Sequence, residues 1–232
     1  MPMFGFDPTI ILLLPAIAFA MWAQWKVQHT YAEMSKVRAA NGMTGSAMAK
    51  AIMRQNGVTD VGVEEVGGVL SDHYDPRSKT VRLSSGIARG DSLASIAVAA
   101  HEVGHVLQHA QGYPGLALRS AIAPVASIGS MAAFPLFFIG FIFNMPGLSK
   151  TLMDVGILLF SGAVVFHLIT LPVEFDASKR ALAQLTGSGS IAPQEVAGAK
   201  KVLDAAALTY VAAAAMAALQ LLRLVMIRNS RD

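Results

Sequence analysis

The chain has 232 residues, of which 54% are hydrophobic and only 14% are charged. A soluble domain usually carries about 45–50% apolar and about 25% charged residues, so this shortage of charge points away from an ordinary soluble surface. The composition also excludes an intrinsically disordered chain, and the absence of cysteine excludes disulfides, thiolate metal sites and cysteine nucleophiles. The formal net charge of +3 is small and scattered and gives no indication of nucleic-acid binding.

Four apolar stretches predict four membrane-spanning helices, at residues 9–25, 121–143, 155–171 and 205–226. Each approaches or reaches the roughly 17–25 mostly apolar residues that a span requires. Buried helices of a soluble protein are the less favoured alternative, because such helices keep a polar stripe that these stretches lack. A signal peptide is also less favoured for the first stretch, since no basic residue precedes it.

Two polar regions, residues 26–120 and 172–204, separate these spans. Four spans place both regions on the same side of the membrane. Basic residues follow the first span, starting with Lys26, and the positive-inside rule then predicts that both regions are cytoplasmic. Three arginines between residues 223 and 231 lie on the opposite side in this arrangement and argue against it.

Local patterns predict the elements of the first polar region. Residues 44–56 are typical of a helix that Thr44 caps. Residues 61–84 predict a small antiparallel sheet of two or three strands, because two alternating segments, 69–74 and 79–84, flank a good turn sequence. The second of these segments is expected to form a sheet edge at which an extended substrate could pair.

A second helix, from Asp91 or Ser92 to about Gln111, carries the HExxH sequence of residues 101–105. Residues four apart share a helical face, so His101 and His105 can bind one zinc ion. Glu102 then lies close enough to act on a metal-activated water. Random placement of six histidines and six glutamates would give this motif with a chance on the order of 0.4%, so we predict one catalytic Zn²⁺. Polar residues bracket this helix closely, so the site is expected outside the hydrocarbon, near the membrane face.

A catalytic zinc site usually has three protein ligands and a water. Glu174 is the best third ligand, because it directly follows the third span on the side that carries His101. Its alternative is a solvated acid near the membrane surface. Asp176 could equally support a ligand imidazole or be a surface charge.

Further side chains remain candidates without a firm role. His167 is an intramembrane ionisable group, which could be a ligand or a packed histidine. His73, Tyr74 and Tyr113 could each donate a hydrogen bond to an oxyanion, and nothing in the sequence selects among them. His109 lies one turn beyond His105 and is not expected to be a ligand.

The chain resembles the bacterial membrane-bound neutral zinc metallopeptidases over nearly its whole length. The resemblance is carried by residues 72–76 (DHYDP), 81–84 (VRLS), 98–105 (VAAHEVGH) with Gln108, and 172–178 (PVEFDAS). It implies peptidase chemistry and adds Gln108 to the residues that could support a ligand or contact the substrate.

More distantly, the chain is similar to the gluzincin membrane peptidases of the heat-shock and CAAX-prenyl type. Their glutamate ligand lies in an E-aromatic-x-A-D pattern, which maps onto residues 174–178 and implies that Glu174 binds the metal. Ser178 replaces the final aspartate of that pattern, which leaves open whether Asp176 takes over its supporting role.

Together these observations predict a mainly α-helical, multi-pass protein of the bacterial inner membrane with a small α+β zincin-like catalytic domain. The expected divisions are an anchor, a catalytic region, a hairpin of two spans, a third-ligand segment with a linker, and a last span with its tail (1–25, 26–120, 121–171, 172–204 and 205–232). The predicted function is that of a zinc metalloendopeptidase in the lipid bilayer, acting on peptides or membrane proteins. A zinc-binding scaffold without turnover is the main alternative, and a transporter that uses His167 is a weaker one. No oligomeric state is indicated.

Overall fold

The computed structural model describes residues 8–68, 71–143, 147–187 and 189–230. Predictions that fall on the remaining residues, including the start of the expected strand 69–74, lie outside the described part. In chain order the elements are α1 (Leu14–Met34), α2 (Gly45–Gln55), β1 (Gly62–Val66), β2 (His73–Asp75), β3 (Thr80–Ser84), α3 (Ser85–Arg89), α4 (Leu93–Ala110), α5 (Pro114–Ile142), α6 (Leu148–Gly187) and α7 (Val196–Asn229). Short 3₁₀ helices precede α1 and α7.

Within the described ranges, four helices are long and apolar enough to cross a membrane by length and composition. They are Thr9–Met34, Pro114–Ile142, Leu148–Gly187 and Pro193–Asn229, and each contains one predicted apolar stretch, except that the second ends one residue before Phe143. Large apolar side chains point outward along them; Val125, Ile128 and Leu158 are each at least 70% exposed. Such a surface suits contact with lipid tails, and the prediction of four membrane-length helices is confirmed.

The chain divides into two compact units. The apolar unit consists of Met1–Ala23, Leu118–Leu171 and Tyr210–Asp232, and Phe137 and Met153 are buried in its core. The α/β unit consists of Gln24–Ala117 and Pro172–Thr209. The α/β unit contains the sheet, the HExxH helix and Glu174, so it contains every residue of the candidate metal centre.

Helices α2 and α4 form the core of the α/β unit. Met48 and Ile52 of α2 and Ile96 of α4 are completely buried in one apolar cluster. The predicted caps are present: the Thr44 hydroxyl accepts a hydrogen bond from the amide of Ala47 at 3.2 Å, and Ser92 Oγ accepts one from the amide of Ser95 at 3.1 Å. These caps satisfy amides that would otherwise lack partners in the first turns.

In the described part of the chain, the sheet has three strands in the order β1-β3-β2. β2 and β3 form the predicted antiparallel hairpin, with Tyr74 opposite Val81, whereas β1 pairs with β3 in parallel, so the sheet is mixed. The expectation that residues 79–84 form a sheet edge is wrong, because β3 has a neighbour on both sides. The edges are β1 and β2, and of these β2 packs more extensively against α4.

Candidate metal centre

His101 and His105 lie one turn apart in the middle of α4, with their ring centroids 4.9 Å apart and their planes nearly perpendicular. The helix is buried on most of its surface, because apolar residues such as Val103 pack into the core while the histidines face α6. The side chains of His101 and His105 are only 12% and 8% exposed. Both imidazoles are therefore held in a largely water-excluded setting.

Glu174 of α6 completes the group. Its Oε2 lies 3.2 Å from Nε2 of His101 and 3.5 Å from Nε2 of His105, and its side chain is 2% exposed. The three residues offer donor atoms that all lie within 4.8 Å of one another. The structure thus brings together the three residues that the sequence singles out as zinc ligands.

Gly104 allows α4 and α6 to approach closely enough for this arrangement. A Cβ atom at this position would lie 2.4 Å from the carbonyl oxygen of Ala177, three residues after Glu174. Only glycine fits a backbone contact this short. The second variable residue of the HExxH sequence therefore has a packing role that the motif alone did not reveal.

The donor set and its spacing fit a zinc ion. Zinc bonds of about 2.0–2.1 Å in a tetrahedral site separate neighbouring ligand atoms by roughly 3.3 Å. The two measured separations from Glu174 Oε2, 3.2 and 3.5 Å, bracket that value. Two imidazole nitrogens with one carboxylate oxygen are also a typical protein ligand set for catalytic zinc, which leaves a fourth position for water.

Polar partners orient both imidazoles from behind. Nδ1 of His101 lies 3.1 Å from Oγ of Ser178, and Nδ1 of His105 lies 2.9 Å from Oε1 of Gln108. Such partners fix the ring orientation of metal-ligating histidines. Ser178 thus contacts His101 directly, whereas Asp176 accepts a hydrogen bond from Gln108, which in turn contacts His105.

Glu102 points from the same helix and is buried. Its pKa is raised to about 7, chiefly by burial; the charge of His101 opposes the rise, and the carboxylates of Glu174 and Asp72 add to it. A carboxyl group with a pKa near the working pH is suited to general acid–base catalysis. Among the oxyanion candidates, His73 is exposed at the start of β2, and its Nδ1 lies 2.8 Å from the carbonyl oxygen of Ser71.

The remaining candidates are held elsewhere. The hydroxyl of Tyr74 lies 2.7 Å from Nδ1 of His109, and both line a small cavity whose walls include none of the three candidate ligands. His167 belongs to the apolar unit, where its ring contacts Phe166. Tyr113 lies under the guanidinium of Arg180, 5.7 Å from it.

The fold and the donor set define a class: a mainly α-helical chain with membrane-length helices and a largely enclosed group of two histidines and one glutamate that could hold a metal ion. The chain belongs to the family described as "putative neutral zinc metallopeptidase", whose sequence profile matches residues 9–229. It is also similar to a curated relative from Bacillus subtilis (strain 168), "Putative membrane protease YugP", at 49% identity over 224 residues. The alignment covers 96% of this chain and 98% of the relative. No solved structure matches it.

Proposed function

We propose that the protein is a membrane-bound zinc metalloendopeptidase of the gluzincin type, with His101, His105 and Glu174 as ligands. One observation carries the proposal: three donor atoms from two helices, on side chains that are at most 12% exposed, converge at the spacing of a zinc site, and one of these helices also carries the buried carboxyl of Glu102. Burial of two histidines and two glutamates together is costly unless a cation or a reaction uses them. The family description and the name of the relative support a zinc protease at the level of class.

In this proposal the residues of the chain divide the work of peptide hydrolysis. Zinc bound here would lower the pKa of water to about 7 and polarise the scissile carbonyl. Glu102 accepts the proton of the water whose oxygen attacks the carbonyl carbon. As the carbon–nitrogen bond breaks, Glu102 gives that proton to the leaving amine.

An extended substrate is proposed to pair with β2 rather than with β3. β2 is an edge strand that packs against α4, the helix that carries the HExxH sequence. An edge strand offers free backbone groups to a peptide, which the central strand β3 does not.

The active site is proposed to lie near the cytoplasmic face of the inner membrane. Glu174 follows the third apolar stretch, residues 155–171, after only two residues. The basic residues after the first span, beginning with Lys26, support the cytoplasmic side. Peptides or membrane proteins are the proposed substrates.

The substitution Glu102→Gln tests the reaction. It removes the proton acceptor and leaves all three proposed ligands, so we expect retained zinc and loss of proteolysis by at least about 100-fold. The measurement is quantitative proteomics of cells with active or variant protein, together with metal analysis of both purified proteins. Glu33→Gln is the matched control, because Glu33 is an exposed glutamate of α1. Normal cleavage by Glu102→Gln would refute the mechanism, and zinc without cleavage by the unchanged protein would favour the scaffold alternative.

A further inference from the structure

Gln108 is completely buried where α4 packs against α6, and both its amide nitrogen and its amide oxygen have hydrogen-bonding partners. Its Nε2 donates to the carbonyl oxygen of Val173 at 2.8 Å and to Oδ2 of Asp176 at 2.8 Å. Its Oε1 faces Nδ1 of His105 at 2.9 Å. Burying an amide is costly unless its groups are paired, and here the pairing is complete in one orientation.

The two partners of Nε2 fix which way the amide points. A backbone carbonyl and a carboxylate only accept hydrogen bonds, so the amide nitrogen has to face them. A flipped amide would set its oxygen against both acceptors and leave two buried repulsive contacts. The oxygen of Gln108 therefore faces His105, and because this oxygen only accepts, Nδ1 of His105 has to carry the hydrogen.

We infer that Gln108 is a positioning residue that holds a hydrogen on Nδ1 of His105 and so reserves Nε2 for the metal; we call this arrangement the lock. The lone pair of the neutral Nδ1–H tautomer is on Nε2, which is the nitrogen that faces Glu174 at 3.5 Å. In that tautomer Nε2 and the carboxylate oxygen are both acceptors, so at this distance a cation, either a proton or a metal ion, has to lie between them. Gln108 thereby prepares the site for a cation before one arrives. This inference rests on the proposed metal site.

The lock extends one step beyond Gln108. Asp176 accepts a hydrogen bond from Nε of Arg180, and another guanidinium nitrogen of Arg180 donates to Gln111. The guanidinium also lies over the ring of Tyr113. Because Arg180 is held at several points, the carboxylate of Asp176 has a fixed position from which to orient the amide of Gln108.

Two measurements test the lock without relying on activity. The first is ¹⁵N NMR of histidine-labelled, metal-free full-length protein in nanodiscs, at about two pH units above the ordinary imidazole pKa of about 6.5. His105 is assigned by comparison with His105→Gln. We expect the nitrogen shift of a protonated Nδ1 in the unchanged protein and a mixture of tautomers in Gln108→Met, which keeps the shape of the side chain but cannot accept a hydrogen bond.

The second measurement is a titration of the same proteins with Co²⁺, followed through its d–d absorption. Loss of an outer partner of a ligating histidine typically weakens metal binding 10–100-fold, and we expect a loss in this range for Gln108→Met. Gln184→Met is the matched control: Gln184 lies on α6 in the same unit, but its Oε1 accepts a hydrogen bond from Asn56 at 2.7 Å, and we expect the cobalt affinity of this variant to stay within about twofold of the original.

The outcomes separate this inference from the proposed function. An Nε2–H tautomer of His105 in the unchanged protein, or unaltered cobalt affinity in Gln108→Met, overturns the lock alone. Failure of the unchanged protein to bind cobalt overturns the proposed metal site and this inference with it. A folding defect in Gln108→Met leaves the nitrogen shifts of the unchanged protein as the deciding result.

Discussion

Replacing Gly104 by alanine should distort the proposed metal centre without altering any of its three proposed ligands. The new Cβ would lie 2.4 Å from the carbonyl oxygen of Ala177, whereas an ordinary contact begins at 3.4 Å, so α4 and α6 have to separate locally by about 1 Å. Because Glu174 is one turn before Ala177, its Oε2 would move from 3.2 Å to roughly 4.2 Å from Nε2 of His101. Overpacking of this kind costs about 1–3 kcal/mol of stability, and a 1 Å misplacement can cost about 100-fold in rate.

The assay is cobalt affinity and proteolytic rate of purified Gly104→Ala, with its melting temperature as a measure of folding. Gly162→Ala is the matched control, because a Cβ at this helical glycine meets no atom within 4 Å. We expect at least about tenfold weaker cobalt binding and about 100-fold slower cleavage for Gly104→Ala, and neither effect for Gly162→Ala. A folded Gly104→Ala variant with unchanged cobalt affinity would refute the argument that helix separation sets the site.

Three further predictions concern the metal, its support and the orientation. If the metal is present at 100 times its dissociation constant, its removal by a chelator should lower the free energy of unfolding by about 2.7 kcal/mol. The melting temperature should fall accordingly and recover when zinc is added, and an unaltered melting temperature would argue against a bound metal. Ser178→Ala, which removes the partner of His101 Nδ1, should weaken cobalt binding by about tenfold, and Ser178→Thr should not. The chain has no cysteine, so single cysteines can report the orientation. A membrane-impermeant maleimide should label the Lys150→Cys variant in intact cells and the Arg77→Cys variant only after lysis. The reverse pattern would place the α/β unit outside the cell.

The elements that local signals determine were predictable from the sequence. The caps at Thr44 and Ser92 give the starts of α2 and α4, and the apolar stretches give the membrane-length helices. The β2–β3 hairpin follows from its turn, because neighbouring segments pair through a short loop. The parallel pairing of β1 with β3 was not predictable, since it joins segments whose register no turn fixes. Because this pairing could not be foreseen, the sequence wrongly predicted that β3 lies at an edge of the sheet.

The candidate site shows the same division. His101, Glu102 and His105 follow from helical spacing, and Glu174 follows from its place after a span. The contacts of Ser178 and Gln108 depend on which faces of α4 and α6 meet, and Gly104 determines how closely they meet. A single sequence contains no signal for that interhelical register, although the glutamine three residues after the second histidine is a pattern that could be sought in similar chains.

The short length of β2 bears on which substrates such an enzyme could select. A peptide that pairs along its three residues would gain two or three backbone hydrogen bonds, each contributing about 0.5–1.5 kcal/mol. The sum is about 1–4.5 kcal/mol, which corresponds to dissociation constants of about a millimolar or weaker. When enzyme and substrate are both held in the same membrane, their effective concentration toward each other reaches the millimolar range. Weak main-chain recognition would therefore favour segments confined to the same two-dimensional bilayer over peptides that diffuse freely.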